Sequence, residues 1–330
     1  MENYKYIQDK LNNGKIVILD GANGSELEKR GAQMDRGGWC GPASITHPKI
    51  LEDIHKDYIA AGAEVITTNT FSSARHVLEY STFKDQTVAI NEKAMECAIS
   101  ARNHFPDKKV AIAGSLSLSL VADIVDGIND PAEFRDYMKT DQRSISKFTE
   151  ESIREGSFNY NKILKNFNEQ ISIFKKYNID LIILEMIINP SICKPAIDAA
   201  LASGLPVWLG LSCGEESEED DLLAFENTKM KFSETLNTIT NDFDAVLLMH
   251  SETKNITKGL REIRSKWNGH LGAYPHKGTY VRPNWIFDKN YTPEMYSDNM
   301  QDWVNQGVRI IGSCCGMGPE YTYELKRRFS

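Results

Sequence analysis

Short apolar, β-branched runs recur along this chain, each followed by a longer segment of helical period, and few folds accommodate that rhythm. The runs occupy residues 16–20 (IVILD), 64–69 (EVITTN), 109–115 (KVAIAGS), 180–186 (DLIILEM), 206–212 (PVWLGLS), 244–250 (DAVLLMH), 270–274 (HLGAY) and 308–314 (VRIIGSC). Near-continuous apolar runs of this length describe strands buried on both faces, and alternation with helices describes a parallel sheet. The segment 48–61 puts Ile50, Leu51, Ile54, Tyr58 and Ile59 on one helical face, and Gly62 closes it. Segments 167–177, 195–202 (before Gly204) and 293–305 (before Gly307) read the same way. Eight strands, each followed by a helix, are the arithmetic of an α/β fold of the (β/α)8 TIM-barrel type. A doubly wound open sheet is the alternative. Its phosphate fingerprint is missing, because residues 20–24 (DGANG) are not Gly-x-Gly-x-x-Gly and no phosphate-loop Gly-Lys-Ser/Thr occurs.

The whole chain, 1–330, is therefore expected to form one barrel domain. Its surplus length falls at 116–179, between the third and fourth strands, and includes a polar run at 136–161. Loops this long inside compact domains are usually lids or extra helices, and both readings stay open for this insertion.

Charge and cysteine usage then exclude several function classes. Acidic residues outnumber basic ones, 46 to 38, for a net charge of −8. With no basic stripe, nucleic-acid binding through phosphate neutralisation is not expected. No window approaches the length of a membrane-spanning apolar helix, and residues 1–13 are polar with no apolar signal region. Six cysteines are too sparse for a disulfide framework, which points to the reducing cytoplasm. Residues 214–221 carry six acidic side chains and are expected to be a solvated loop rather than a cation site.

In barrels of this kind the functional site forms where the strands end. The strand ends deliver Asp20 and Gly21; Thr68, Asn69 and Thr70; Ser115; Glu185; Ser212 and Cys213; His250 and Ser251; Tyr274; and Cys314 with Cys315. Asp20 has the alternative of capping the first helix, and Asn69 and Thr70 that of forming a turn. Glu185 stands between Leu184 and Met186 in an apolar run, where a carboxylate needs a cation or several donors. Cys213 reads as a small buried hydrophobe. Cys314 and Cys315 are the sharpest feature. A shared disulfide between adjacent residues is strained, whereas the flanking Gly312 and Gly316 let the turn present both sulfurs to one soft cation such as zinc.

These residues together resemble the homocysteine S-methyltransferases, the family that includes betaine- and S-methylmethionine-dependent enzymes. The likeness runs from Asp20-Gly21, Gly24 and Glu26-Leu27 through Ala61-Gly62-Ala63, residues 67–71 (TTNTF), Gly114-Ser115 and Leu184-Glu185 to residues 312–316 (GSCCG). The resemblance implies a methyltransferase that carries a methyl group from a sulfonium or ammonium donor to a thiol, homocysteine becoming methionine. It implies a zinc ion held by three cysteines that binds the acceptor as a thiolate. It also implies that Glu185 holds the acceptor's amino group, with Asp20, Gly21, Thr68, Asn69 and Ser115 around the amino-acid end. Cys314 and Cys315 match two of the zinc cysteines. The third is replaced: the sixth strand ends Met249-His250-Ser251, so either His250 ligates in its place or Ser251 stands there and the metal site is altered or lost. Met186 and Ser72 stand where betaine-using members carry aromatic residues. A repurposed relative that binds a small amino acid or onium compound without zinc chemistry is the alternative function.

Overall fold

The computed structural model describes every residue except 1, 36, 80, 119–159, 226–229, 282–283, 287 and 289. In chain order its strands are β1 (Val17–Ile18), β2 (Val65–Thr67), β3 (Ala111–Ser117), β4 (Leu181–Ile187), β5 (Val207–Leu211), β6 (Cys213–Glu216), β7 (Leu222–Ala224), β8 (Ala245–Glu252), β9 (His270–His276), β10 (Thr279–Val281), β11 (Asn284–Ile286) and β12 (Ile310–Ile311). Eight of them pair in parallel in the order β1, β12, β9, β8, β5, β4, β3, β2. A parallel bridge between Leu19 and Val65 joins the two ends of that order and closes the ring. Closure separates a barrel from a doubly wound sheet, and each barrel strand coincides with one of the apolar runs.

Alternation along the strands divides the core into two layers. Val17, Leu19, Val65, Ala113, Ile183, Leu247 and Ile310 point inward and pack with one another. The helix Glu2–Asn12 adds Tyr4, Ile7 and Leu11 to this inner cluster, with Trp208 Nε1 donating to the Tyr4 hydroxyl at 3.4 Å. The intervening residues, such as Ile182, Leu184 and Leu248, face the outer helices. Every fully buried aliphatic side chain contributes roughly 1.5–3 kcal/mol, so both faces of each strand stabilise the ring. Gly114 allows one of these contacts: a Cβ there would meet the Phe174 ring at 2.6 Å, so glycine lets the helix Tyr160–Lys176 lie against β3.

As expected, the stretch between the third and fourth barrel strands is longer than one crossover helix needs. Residues 116–117 belong to β3, and Tyr160–Lys176 is the crossover helix that leads to β4. The rest, including any lid, lies outside the described residues. The helix expected at 195–202 begins earlier, at Pro190, because the Asn189 side chain caps it by accepting from the backbone N–H of Ser191 (2.9 Å) and Ile192 (3.3 Å). The acidic segment 214–221 lies in the antiparallel β6–β7 hairpin. Its carboxylates meet lysines, Glu215 with Lys254 at 2.6 Å and Glu216 with Lys258 at 3.2 Å, as a solvated face does. Among the described residues no helix is long and apolar enough to cross a membrane.

Candidate functional site

The strand ends build two kinds of chemistry on opposite sides of one rim. The first is a carboxylate side. Asp20, 1% exposed, accepts from the backbone N–H of Thr67 at 2.7 Å and from the Thr67 hydroxyl at 3.1 and 3.2 Å. Burial pushes its pKa well above the usual value, against the pull of the Thr67 bonds, and the charge of Glu185 adds to the rise. Glu185 accepts from the Ser115 hydroxyl through Oε2 and from the Tyr274 hydroxyl through Oε1 at 3.3 Å. Burial raises its pKa as well, with the bonds from Ser115 and Tyr274 opposing. Among the described residues no lysine or arginine pairs with either carboxylate. A buried acid and a half-buried one, with no cationic side chain against them among the described residues, favour the arrival of a cation.

The second is a thiol and imidazole side. Cys314 Sγ lies 3.9 Å from Cys315 Sγ, and His250 Nδ1 lies 3.3 Å from Cys314 Sγ. The three ligand atoms all fall within 4.8 Å of one another. Two sulfurs bound to one tetrahedral zinc at about 2.3 Å stand about 3.8 Å apart, and a nitrogen–sulfur edge is about 3.6 Å. The donor set and its spacing therefore fit a soft divalent ion held by two cysteines and one histidine. Burial pushes the His250 imidazole well below its usual pKa, and the neighbouring His276 ring adds to this. The neutral imidazole is the form that ligates. The Cys314 thiol beside it, together with burial, holds the Cys315 thiol well above its usual value, so this turn on its own keeps its proton.

Two irregularities aim these side chains. The register shifts in β4 between Leu184 and Ile187, where Met186 has φ 55°, and in β8 between Met249 and Glu252, where His250 has φ 40°. Such left-handed backbone at non-glycine residues is uncommon, and bulges of this kind re-aim side chains beside sites. In β8 the inward positions Ala245, Leu247 and Met249 would be followed by Ser251. The bulge instead brings the His250 ring to Cys314. Ser251 is turned away, its hydroxyl donating to Met249 O at 2.8 Å and accepting from Cys213 N–H at 2.9 Å. Of the two sixth-strand ligands expected from the sequence, His250 reaches the cysteines and Ser251 does not.

The other expected site residues divide. Asp20, Ser115 and Glu185 converge as expected. Gly21 is a close-approach position, since a Cβ would come within 2.7 Å of both the Ser313 and Tyr58 hydroxyls. Thr68 and Asn69 also bond within the protein. The Thr68 hydroxyl pairs with that of Thr70 at 2.8 Å, and Asn69 donates to Cys40 O and the Ser44 hydroxyl. Cys213 is a buried small residue, as read, with burial pushing its thiol up to about 12. Thr67 was missed, although its inward place after Val65 follows from strand alternation. So was Trp285, which packs with Ala22 and Cys315 and has its ring 5.8 Å from that of His250. Trp39 joins the same cluster and meets Phe71 edge-on at 6.3 Å.

Comparison with known proteins adds an independent line. The family model described as homocysteine S-methyltransferase matches residues 17–329. Betaine–homocysteine S-methyltransferase 1 of Mus musculus is 26% identical over 341 residues, covering 96% of this chain and 72% of its own length. Homocysteine S-methyltransferase 2 of Arabidopsis thaliana is 21% identical over 338 residues, covering 96% of this chain and 93% of its own. The metallated form of the homocysteine methyltransferase MmuM from Escherichia coli superposes with a TM-score of 0.71 at 19% identity, covering 98% of this chain and 99% of that one, which shows a shared fold.

Proposed function

The chain belongs to the homocysteine S-methyltransferase family, and from that premise we propose that it transfers a methyl group from a sulfonium or ammonium donor to homocysteine, the acceptor sulfur being held at Cys314, Cys315 and His250 and its amino group at Glu185. The observation that carries this reading is the meeting of His250 Nδ1 and the two adjacent thiols within 4.8 Å on the rim that also holds the half-buried Glu185. When bound there, zinc would keep the acceptor thiol deprotonated at neutral pH, where a free thiol with a pKa of about 8.5 is mostly protonated.

The chain's own groups do the rest. Glu185 is oriented by the Ser115 and Tyr274 hydroxyls before any ligand arrives, so an ammonium group meets a fixed carboxylate. Asp20 is likewise locked by Thr67 beside it. The bond formed is sulfur to methyl carbon, and the bond broken is methyl carbon to the onium atom, which leaves neutral with the electron pair. The donor side accordingly needs no acid. Trp39 and Trp285 pack in one cluster with the two cysteines, and an onium cation placed against their rings would be attracted by the ring quadrupole.

The test joins metal analysis to turnover. Purified protein is expected to carry roughly one zinc per chain and to form methionine from homocysteine with at least one of S-methylmethionine, betaine and S-adenosylmethionine. Cys314→Ser and Cys315→Ser are each expected to lose both properties. Methionine formation by protein free of metal would overturn the reading. Thermal stabilisation by a donor or acceptor without any turnover would mark a binding protein instead.

A further inference from the structure

We propose that Thr70, paired with Thr68, is a positioning residue: acting through Ser115, it sets the Glu185 carboxylate for the acceptor's ammonium group. The inference rests on the proposed role of Glu185 and adds residues that need not touch substrate.

It starts where the pairing of β2 with β3 stops. The last paired residues are Thr67 and Ala113, with Thr68 N–H still donating to Ala113 O at 2.9 Å. The chain then turns, Thr70 N–H donating to Thr68 O at 2.8 Å, and two hydroxyls take over from the backbone. Ser115 N–H donates to Thr68 Oγ1 at 3.3 Å, and Ser115 O accepts from the Thr70 hydroxyl at 2.7 Å. The two threonine hydroxyls lie 2.8 Å apart. Buried backbone groups beyond a ladder must find side chains, and here both groups of one residue are met.

The proton order follows. A carbonyl oxygen only accepts, so the Thr70 proton goes to Ser115 O. Thr70 must then accept from Thr68, whose own lone pair takes the Ser115 N–H. The ring is closed, and neither hydroxyl keeps a proton to donate to a ligand. Thr68, Thr70 and Ser115 are each at most 1% exposed, so water does not compete for these bonds.

The clamp is anchored at one end and aimed at the other. Gln170 Nε2, on the helix Tyr160–Lys176, donates to Thr70 O at 3.0 Å, and the Ser73 hydroxyl does so at 3.2 Å. The Ser115 hydroxyl donates to Glu185 Oε2. A path of hydrogen bonds therefore runs from an outer helix, through one fixed residue, to the carboxylate.

Thr70→Val keeps the shape and removes the hydroxyl. It is expected to raise the KM for homocysteine about 2- to 10-fold, the worth of one hydrogen bond, with kcat and zinc content at the parental level. Thr70→Ser restores the hydroxyl and should restore the KM. Two readouts separate positioning from general loosening of the fold. The inhibition constant of the des-amino analogue of homocysteine, which brings no ammonium group, should not respond to Thr70→Val. In a Ser115→Ala background, where the link to Glu185 is already cut, Thr70→Val should leave the KM unchanged. An unaltered KM in Thr70→Val, or the same factor with and without Ser115, or for both thiols, would overturn the positioning role and leave the methyl-transfer reading standing. A parent protein that forms no methionine with any of the three donors would overturn both.

Discussion

The two sides of the rim solve opposite problems. On the carboxylate side every named group is already engaged: Thr67 holds Asp20, while Ser115 and Tyr274 hold Glu185. That side offers negative charge held by neutral hydroxyls. The thiol side offers soft donors, two thiols with the His250 nitrogen aimed at them. Both sides use an irregular strand end: Glu185 lies in the β4 register shift beside Met186 (φ 55°), whereas in the β8 shift His250 itself takes the left-handed backbone (φ 40°). The lesson is that the carboxylate side borrows its irregularity from a neighbour, while the thiol side places it on the candidate ligand itself.

The largest expected effect breaks the thiol side at its unusual member. His250→Ala is expected to weaken zinc binding by more than the roughly 100-fold that an outer partner costs, because it removes a ligand rather than a neighbour of one. Ser251→Ala is expected to retain stoichiometric zinc, since its hydroxyl is spent on Met249 O and Cys213 N–H. Competition against a chromogenic chelator measures both. Equal zinc retention by the two variants would remove His250 from the proposed ligand set.

The carboxylate side is sharpened by Glu185→Gln. The amide keeps the size and can accept from one of the two hydroxyls while donating to the other, but it loses the charge that would face an ammonium group. A charge-assisted hydrogen bond of about 1.5–3 kcal/mol corresponds to a rise of roughly 10- to 100-fold in the KM for homocysteine. Because that contact would be the same in the ground state and the transition state, kcat should change far less. Zinc content should stay at the parental level, which separates the two sides. An unchanged KM would place the amino group elsewhere.

This contrast also governs what could be read in the sequence. The barrel was legible because strands buried on both faces leave near-continuous apolar runs, and each run proved to be one strand of the closed ring. Asp20, Ser115 and Glu185 were legible because they end such runs. Thr67 was passed over for Thr68, although the inward direction of Val65 assigns the next inward place to Thr67 rather than its neighbour. The role of His250 was open for a deeper reason. Period-2 counting from Leu247 and Met249 delivers Ser251, and nothing in Met249-His250-Ser251 announces the register shift that favours His250.

The smallest expected effect concerns stability behind the carboxylate side. His55 lies in the helix Pro48–Ala61, is 0% exposed, and has neither ring nitrogen hydrogen-bonded. Burial lowers its pKa from 6.5 to about 4, with the charge of Glu52 opposing slightly. The folded protein therefore keeps this imidazole neutral, while the unfolded chain protonates it below pH of about 6.5. Its contribution is fully present above that value and is lost as pH falls towards about 4. At pH 5 the linkage amounts to about 2 kcal/mol relative to pH 7. His55→Leu, of similar volume and with no proton to gain, should flatten that part of the profile. Urea unfolding of parent and variant at pH 7 and pH 5 gives the difference directly, with the other titrating groups common to both. Equal losses between the two pH values would mean that His55 titrates normally in the folded state. The variant should leave zinc content and the KM for homocysteine unchanged, because the buried His55 ring bonds to neither Asp20, Glu185 nor the thiol cluster.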